Sequence, residues 1–298
     1  MKVLVLLGGT SNEREVSLRS GKAVEDALKT AGHSVSTYDP ADGVEGLSQF
    51  VGEVDCVFPI LHGAGGEDGS IQKELEKRNF KYLGSDSKAS KLYFNKDKFK
   101  ELLNESGILT PKWEVVDKES VKTSRLIKNA YVLKPIGGGS TIDAFIVRDP
   151  QMDSHDRGIF NKYERMLLEE LIEGDEVTVP VLGNKSLPVI EIIPPKGREF
   201  DYENKYNGAT QELCPPKNVS SELQLEVQKI AENVHQLAKA RHLSRSDFMI
   251  NPSGKIYALE LNTMPGLTDQ SLFPKSAGVA GLTMPALVNK LVKMTMQT

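Results

Sequence analysis

Short apolar runs alternate with helix-like patterns over the first third of the chain. The first run, residues 3–7, stops at a Gly-Gly pair, and further strands are predicted at 33–38 and 56–61. Between the first two strands, apolar residues recur at helical spacing. Strands that alternate with helices predict a parallel sheet and an α/β fold. Ligands of such sheets gather at the carboxyl ends of the strands, so the turns at 8–13 and 62–69 are the first candidates for a site.

The middle of the chain predicts a different arrangement. Residues 87–106 are rich in lysine and helical in pattern, and strand-like segments follow at 131–133, 144–147, 166–168 and 176–181. Short strands separated by turn residues are typical of a small antiparallel sheet. The middle block is therefore predicted to be a small antiparallel module.

Near the C-terminus, two alternating runs, 245–250 and 255–262, flank an Asn-Pro-Ser-Gly turn and predict a β-hairpin. With a loop of these four turn residues, the opposing pairs are predicted to be Ile250 with Lys255, Asp247 with Ala258, and Arg245 with Glu260. Strand side chains alternate between faces, so one face is predicted to carry Arg245, Asp247, Glu260 and Asn262. The core face is predicted to carry Phe248, Ile250, Tyr257, Leu259 and Leu261.

The polar face of this hairpin suggests a metal site. Mg²⁺ prefers octahedral oxygen ligands, takes one or two carboxylates from a protein, and completes its shell with water or substrate phosphates. The alternative is a surface hairpin whose polar face is solvated and holds a cross-strand Arg–Glu pair. A one-residue bulge would also break the shared face. The hairpin alone leaves these interpretations open.

A glycine-rich loop, residues 137–141, follows a predicted strand that contains Lys134. Glycines let backbone N–H groups approach an anion, and the hydroxyl groups of Ser140 and Thr141 add donors. The chain lacks the pattern Gly-x-x-x-x-Gly-Lys-Ser/Thr, so this loop is not a P-loop of that type. For a glycine run taken alone, a flexible hairpin tip is the simpler interpretation.

Composition narrows the class of protein. The 298 residues carry a net charge of −4 with a pI of about 5.9, which disfavours nucleic-acid binding. Cys56 and Cys214 are too few for a disulfide framework or a Cys-based zinc site. The opening apolar run is too short for a signal-peptide core or a membrane span. A cytoplasmic protein with no nucleic-acid or membrane partner is expected.

Several segments, taken in order, resemble the D-alanine–D-alanine ligase family of the ATP-grasp superfamily. These segments are GGTSNEREVSLRSG, LHGAGGEDGSIQ, GSDSKASKLYFNKDKFK, EGDEVTVPVL, DYENKY and ELNTMPGLTDQSLFPKSA. The resemblance covers essentially the whole chain. Several independent motifs in the family's order make it far more specific than any single glycine-rich loop.

The resemblance implies an ATP-grasp fold of mixed α/β and α+β class. It implies an N-terminal parallel-sheet, Rossmann-like substrate-binding domain over 1–87, a small central antiparallel subdomain over 88–172, and a C-terminal α+β catalytic subdomain over 173–298. The implied activity is ATP-dependent joining of two D-alanines through a D-alanyl phosphate, for peptidoglycan precursor synthesis. The implied cofactors are ATP and two Mg²⁺ ions, for which Mn²⁺ substitutes, and a homodimer is expected.

The family's nucleotide and metal residues map onto particular positions here. By this resemblance, two Mg²⁺ ions are held by Asp247, Glu260 and Asn262. Lysines matching the family's ATP-phosphate ligands are Lys98 and Lys134, and Lys205 is expected to reach the transferring phosphate. The adenine-binding linker matches Glu169, Glu170, Leu171 and Ile172, and the ribose-binding acid matches Glu176.

The remaining implied residues surround the two amino acids. Glu13 matches the residue that holds the ammonium group of the first D-alanine, and His62 matches a position near that substrate. The oxyanion hole of the tetrahedral intermediate matches Arg245 and the Gly266 N–H. The second D-alanine's carboxylate matches a site at Ser271 and Leu272. Ser140 and Tyr206 match residues that form a polar link to Glu13 and close a lid over the site.

Three positions bear on specificity and on how far the family pattern holds. Tyr at position 206 goes with D-alanine as second substrate in the family, whereas Phe goes with D-lactate. Asp143 replaces a glycine of the phosphate loop, where a carboxylate is expected to repel phosphates and restrict the backbone. Ser246 replaces an apolar residue and, on a core face, needs a hydrogen-bond partner. The alternatives are a related ligase with D-serine or D-lactate as second substrate, and a non-catalytic nucleotide-binding module.

Overall fold

Three β-sheets organise the protein, and each is built from a different stretch of sequence. In this computed structural model the described residues are 1–139, 142–150, 158–195 and 209–298. The strands of the first sheet are β1 (Lys2–Leu6), β2 (Ser34–Tyr38) and β3 (Cys56–Pro59). Its helices are α1 (Arg14–Thr30) and α2 (Ser70–Lys77). The strand order is β2-β1-β3 with all pairs parallel, which confirms the predicted parallel sheet.

The second sheet is antiparallel and follows two short helices. The helices are α3 (Ser87–Phe94) and α4 (Lys96–Glu105). The strands are β4 (Trp113–Val116), β5 (Tyr131–Pro135), β6 (Phe145–Val147) and β7 (Met166–Glu170). Their order is β4-β7-β5-β6, and every pair is antiparallel. The small antiparallel module predicted for the middle of the chain is confirmed, although the predicted strand at 176–181 belongs to the third sheet.

The third sheet holds the predicted hairpin at one edge. Its strands are β8 (Asp175–Leu182), β9 (Lys185–Ser186), β10 (Ile190–Ile193), β11 (Gln211–Leu213), β12 (Leu243–Ile250) and β13 (Ile256–Asn262). The helices of this part of the chain are α5 (Ser221–Leu237), α6 (Leu272–Val279) and α7 (Met284–Gln297). The strand order is β11-β10-β8-β12-β13, with β9 paired to β8.

One hydrophobic cluster joins the two ends of the chain. Its fully buried members include Val3, Val5 and Val24 from the first sheet and its helix, and Phe273, Leu287 and Leu291 from the last two helices. Helix α7 packs against α1 and β3, and His33 Nε2 lies 3.1 Å from Asn289 Oδ1. The first and third sheets therefore share a core, whereas the domain boundaries near 88 and 173 stay a prediction.

The helical stretch predicted over 87–106 is broken at Asn95. This residue has an extended backbone, and its side chain accepts a hydrogen bond from Lys98 N at 3.1 Å, which caps α4. The backbone N–H of Lys96 donates to Ile136 O at 2.9 Å, so the start of α4 is tied to the end of β5. Because of this break, Lys96 is the first residue of α4 and is buried, whereas Lys98 lies on the exposed side of the helix.

The hairpin of β12 and β13 is confirmed, but its predicted register is wrong. The observed pairs are Ile250 with Ile256, Phe248 with Ala258, Asp247 with Glu260, and Arg245 with Asn262. The loop is one residue longer than predicted because the Asn251 side chain accepts hydrogen bonds from Ser253 N and Lys255 N, at 3.1 and 2.9 Å. Lys255 therefore belongs to the turn.

A bulge between Asp247 and Phe248 in the pairing then adds a second shift. The longer turn places Ala258 opposite Phe248 in the core, where it is fully buried, and leaves Leu259 on the side of the smaller cavity; the bulge then returns Leu261 to the core. The predicted core face is therefore wrong at Tyr257 and Leu259, and Ile256 and Ala258 lie in the core instead. The two shifts together leave Asp247 opposite Glu260 and keep the predicted polar group on one side of the sheet.

Strand β12 carries two buried serines, and only one of them has a hydrogen-bond partner among the described residues. Ser244 and Ser246 are both fully buried. Ser244 Oγ lies 2.7 Å from His235 Nδ1, whereas Ser246 Oγ has no hydrogen-bond partner among the described residues. The partner that a core serine at position 246 was expected to need is therefore absent from the described part of the chain.

We expect Ser246→Ala to raise the free energy of unfolding by about 1 kcal/mol, because it removes a buried, unpaired hydroxyl. The matched control is Ser244→Ala, which leaves His235 unpaired and should lower the free energy of unfolding by about 1 kcal/mol or more. Chemical denaturation of both variants measures the difference. Equal destabilisation by the two substitutions would contradict the prediction.

Candidate active site

Two cavities open between the three sheets, and they meet. The larger has a volume of about 970 Å³ and the smaller about 480 Å³. The residues that line both are Lys96, Gly138, Gly139 and Glu260. A molecule in one cavity would therefore lie next to a molecule in the other at a junction formed by a lysine, a carboxylate and two glycines.

The larger cavity is lined by predicted residues from both ends of the chain. Glu13 follows β1 and begins α1, and His62 follows β3, so both lie at the carboxyl ends of parallel strands. The other predicted residues on its wall are Arg245, Asn262, Gly266, Ser271 and Leu272. The core shared by the first and third sheets is what brings these two groups together.

Glu67, in the turn at 62–69, is a functional candidate to which the sequence assigned no role in the site. It lines the larger cavity, and its Oε2 accepts a hydrogen bond from Gly63 N at 2.7 Å. A methyl group added at Gly139 would lie 3.3 Å from Glu13 Oε2 and 3.8 Å from Glu67 Oε2, so both carboxylates face the glycine loop. Burial, together with the nearby Glu13, raises the pKa of Glu67 to about 8.

His62 is a neutral polar group in this cavity at neutral pH. It is 6% exposed, and Nε2 lies 3.4 Å from Ser20 Oγ. Burial and the nearby Arg245 lower its pKa to about 4. Its position after β3 is held by the backbone, because His62 O accepts a hydrogen bond from Ser11 Oγ at 2.6 Å.

Arg245 is fixed at the base of the larger cavity by a two-point ion pair. Its Nε and one terminal nitrogen donate to the two oxygens of Asp247, at 2.9 and 2.8 Å. Burial opposes the charge on Arg245, but Asp247 outweighs burial and holds the pKa of the arginine above its usual value. A guanidinium locked in this way is a rigid donor for a developing negative charge.

Gly266 and Ser271 approach each other closely on the opposite wall. A Cβ at Gly266 would lie 2.8 Å from Ser271 Oγ, so a larger residue would displace the serine. Ser271 Oγ also accepts from Thr268 N at 3.0 Å, and Ser271 precedes the first turn of α6. Free backbone N–H groups at a helix start attract anions, which makes this wall suitable for a carboxylate.

The predicted metal ligands lie together at the end of the hairpin. Asp247 and Glu260 are opposite one another, and both line the smaller cavity, while Asn262 lines the larger. Asn262 Oδ1 is oriented by a hydrogen bond from Met264 N at 2.9 Å. No group of three His, Cys, Asp or Glu side chains suited to a metal occurs among the described residues. Two carboxylates and one amide oxygen nevertheless fit Mg²⁺, which takes only one or two protein carboxylates.

The smaller cavity contains the residues predicted to bind a nucleotide. Its wall includes Lys134, Glu169, Glu170, Leu171, Ile172 and Glu176. Lys134 Nζ lies 2.5 Å from Glu169 Oε1, across adjacent strands β5 and β7. Burial opposes the charge of Lys134, but Glu169 and Glu260 hold its pKa above the ordinary value. A buried cation of this kind suits an anionic ligand.

The lysine of α4 that lies at the junction of the cavities is Lys96 and not the predicted Lys98. Lys98 lies on the outer face of α4, where Nζ is paired with Glu101 at 2.7 Å, and its side chain is 47% exposed. Lys96 Nζ donates to Gly138 O at 2.6 Å and lies 3.6 Å from Glu260 Oε2, at the junction of the cavities. The helix break at Asn95 makes Lys96 the first residue of α4, tied to Ile136, whereas Lys98, which was matched by motif alone, lies on the exposed side of the helix.

The carboxylate of Asp143, which was expected to repel phosphates, is paired with residues outside the smaller cavity. Its neighbours Ile142 and Ala144 line that cavity, whereas Asp143 Oδ2 accepts hydrogen bonds from Lys162 Nζ at 2.5 Å and Tyr163 OH at 2.6 Å. These partners lower the pKa of Asp143. The expected backbone restriction is present, because φ is +59°, in the region that favours glycine. The expected repulsion is offset by the Lys162 pair.

Three predicted site residues fall outside the described residues: Ser140, Lys205 and Tyr206. The predicted lid link and the lysine expected at the transferring phosphate therefore stay predictions. All the other predicted site residues except Lys98 line one of the two cavities.

The chain has the ATP-grasp fold, in which two sheets meet at a cleft, and two family models match it. The family model described as D-ala D-ala ligase C-terminus matches residues 102–293, and the model described as D-ala D-ala ligase N-terminus matches residues 41–85. The first of these covers more than half of the chain.

Relatives and solved structures agree with the family models. The D-alanine--D-alanine ligase of Nitratidesulfovibrio vulgaris (strain DP4) is 37% identical over 299 residues, which cover 99% of this chain and 98% of the relative. The D-alanine--D-alanine ligase of Aquifex aeolicus (strain VF5) is 37% identical over 294 residues, which cover 98% of this chain and 100% of the relative. The chain belongs to the D-alanine–D-alanine ligase family.

Two solved structures show the same architecture. The D-alanine--D-alanine ligase from Bacillus anthracis complexed with ATP superposes with a TM-score of 0.85 at 27% identity, covering 100% of this chain and 98% of that chain. The VanG D-Ala:D-Ser ligase from Enterococcus faecalis superposes with a TM-score of 0.82 at 26% identity, covering 99% of each chain. The fold is therefore common to ligases with different second substrates.

Proposed function

We propose that this protein joins two molecules of D-alanine into D-alanyl-D-alanine at the expense of ATP, for peptidoglycan precursor synthesis. The observation that most strongly supports this function is the junction of the two cavities at Lys96 and Glu260. The smaller cavity has groups suited to a nucleotide, and the larger has groups suited to zwitterions. Their contact places a phosphoryl donor beside a carboxylate acceptor.

The first step forms an acyl phosphate. A carboxylate oxygen of the first D-alanine bonds to the γ-phosphorus of ATP, and the bond from phosphorus to the bridging oxygen of ADP breaks. Glu13, 7% exposed, holds the ammonium of this D-alanine, and the neutral His62 lies beside it. Lys96 and Lys134 neutralise the phosphate charge, and positioning together with neutralisation supplies most of the catalysis in phosphoryl transfer.

The second step forms the peptide bond. The amine of the second D-alanine, after its ammonium has lost a proton, attacks the carbonyl carbon. Phosphate then leaves with the oxygen that joined it to carbon, and the nitrogen loses a second proton to give the neutral amide. Arg245 and the Gly266 N–H stabilise the oxyanion of the tetrahedral intermediate. Ser271 and Leu272, at the start of α6, hold the carboxylate of the second D-alanine. Exclusion of water protects the acyl phosphate from hydrolysis.

Nucleotide and metal residues complete the proposal. Glu169 to Ile172 contact adenine, Glu169 through its backbone because both of its carboxylate oxygens are paired with lysines, and Glu176 binds the ribose hydroxyl groups. Asp247, Glu260 and Asn262 hold two Mg²⁺ ions, for which Mn²⁺ substitutes, and when bound the metal neutralises charge on the phosphates. Lys205, Ser140 and Tyr206 keep the roles that the family resemblance implies, at the transferring phosphate and in the lid.

Three further properties belong to the proposal. A homodimer is expected from the family resemblance. A cytoplasmic location is expected from the composition, and no nucleic-acid or membrane partner is proposed. Within the described ranges, no helix has both the length and the apolar character needed to cross a membrane.

Product analysis tests the function. We expect purified protein with ATP and Mg²⁺ to convert D-alanine into D-alanyl-D-alanine, with ADP and phosphate formed in equal amounts. D-Serine and D-lactate, each mixed with D-alanine, should give less mixed product than dipeptide, as judged by mass spectrometry. A predominant mixed product would show that the protein prefers D-serine or D-lactate as its second substrate. Absence of ATP turnover with every mixture would contradict the ligase function.

Substitution of the two motif lysines tests the corrected assignment. We expect Lys96→Met to lower kcat/KM for dipeptide formation by at least about 100-fold, because it removes the cation at the junction. Lys98→Met, which removes an exposed lysine on the same helix, should change kcat/KM by less than about threefold. Steady-state phosphate release measures both. Equal losses, or a larger loss in Lys98→Met, would contradict the assignment.

A further inference from the structure

Lys100 is a buried cation that no step of the proposed reaction uses. It lies on α4, its side chain is 0% exposed, and it is not among the described residues that line either cavity. Its ammonium group donates to Thr110 Oγ1 at 2.8 Å and to Pro111 O at 3.3 Å. Burial lowers the pKa of Lys100, and such a lysine is retained at a cost in desolvation. Its principal charged partner identifies what it does.

That partner is Glu169, which is shared between two lysines. Lys100 Nζ lies 2.8 Å from Glu169 Oε2, and Lys134 Nζ lies 2.5 Å from Glu169 Oε1. The glutamate side chain is 4% exposed. One carboxylate thus connects a lysine outside the cavity with a lysine that lines it.

The shared carboxylate determines how much of the Lys134 charge reaches the cavity. A lone Lys134–Glu169 pair would be neutral, and Glu169 would compete with phosphate for the Lys134 ammonium. A second lysine on the other oxygen gives the three side chains a net charge of +1 and gives Glu169 a partner other than Lys134. The position of Lys134 also depends on Glu169, because the two side chains interact diagonally across β5 and β7.

We propose that Lys100 is a positioning residue for the nucleotide: by holding Glu169, it sets the position of Lys134 and leaves the Lys134 charge available to the polyphosphate of ATP. This inference rests on the proposed function only in naming ATP as the ligand. It predicts an effect on polyphosphate affinity that is absent for a ligand without phosphates. It also predicts that the effect requires the Glu169 carboxylate.

The test measures binding of AMP-PNP with Mg²⁺, and of adenosine, by calorimetry. We expect Lys100→Met to weaken AMP-PNP binding by at least about tenfold and adenosine binding by less than about threefold. In a Glu169→Gln background, the further effect of Lys100→Met on AMP-PNP should be less than about threefold. The control is Lys122→Met, which removes an exposed lysine paired with Glu119 and should leave both affinities unchanged.

Other outcomes would overturn the inference. Equal weakening of AMP-PNP and adenosine would show that Lys100 supports only the shape of the cavity. A loss of AMP-PNP affinity that persists in the Glu169→Gln background would show that Lys100 does not act through the carboxylate. If Lys100→Met is unfolded by circular dichroism, Lys100→Gln replaces it with the same expected results. Failure of the wild-type protein to bind AMP-PNP would instead overturn the proposed function, and the inference with it.

Discussion

The cleft depends on opposite charges that are held in contact and partly shielded from water. Lys96 lies 3.6 Å from Glu260 where the cavities join, and Arg245 holds Asp247 at two points beside them. A buried ion is costly unless an opposite charge is near, and the loss of one partner leaves the other uncompensated. These pairs therefore stabilise the site in the absence of substrate. They also present groups that can exchange partners, because phosphate can replace carboxylate beside a lysine and a metal can replace the lysine beside a carboxylate.

The shared hydrophobic core explains how one site uses both ends of the chain. Glu13 and His62 come from the first sheet, whereas Ser271 lies just before α6, more than 200 residues later. Packing of α7 against α1 and β3 fixes these segments relative to each other. The antiparallel sheet contributes Lys134 and Glu169 to the wall of the smaller cavity. The position of Lys96, at the start of α4 and tied to the end of β5, couples that sheet to the junction.

Periodicity predicted the parallel and antiparallel sheets because burial of strands and helix faces leaves a direct pattern of apolar residues. It failed where one polar side chain reshapes the backbone. Asn251 lengthens the hairpin turn and Asn95 divides a helical stretch, so the predicted hairpin register and the continuous helix over 87–106 were wrong. The family motif placed Lys98 at the phosphates, and only the structure shows that Lys96 lies at the junction. Family resemblance supplied most site residues, but neither pattern nor motif showed that Glu169 is shared by two lysines, since that contact joins residues 69 positions apart.

Transfer of a carboxylate oxygen to phosphate is the most direct test of chemistry at the junction of the two cavities. The measurement uses D-alanine labelled with ¹⁸O in its carboxylate and analyses the released phosphate by mass spectrometry. If the carboxylate attacks the γ-phosphorus, each phosphate released with a dipeptide carries one ¹⁸O atom, because the oxygen bonded to phosphorus leaves with it. Dipeptide formed together with unlabelled phosphate would contradict attack of the carboxylate on ATP.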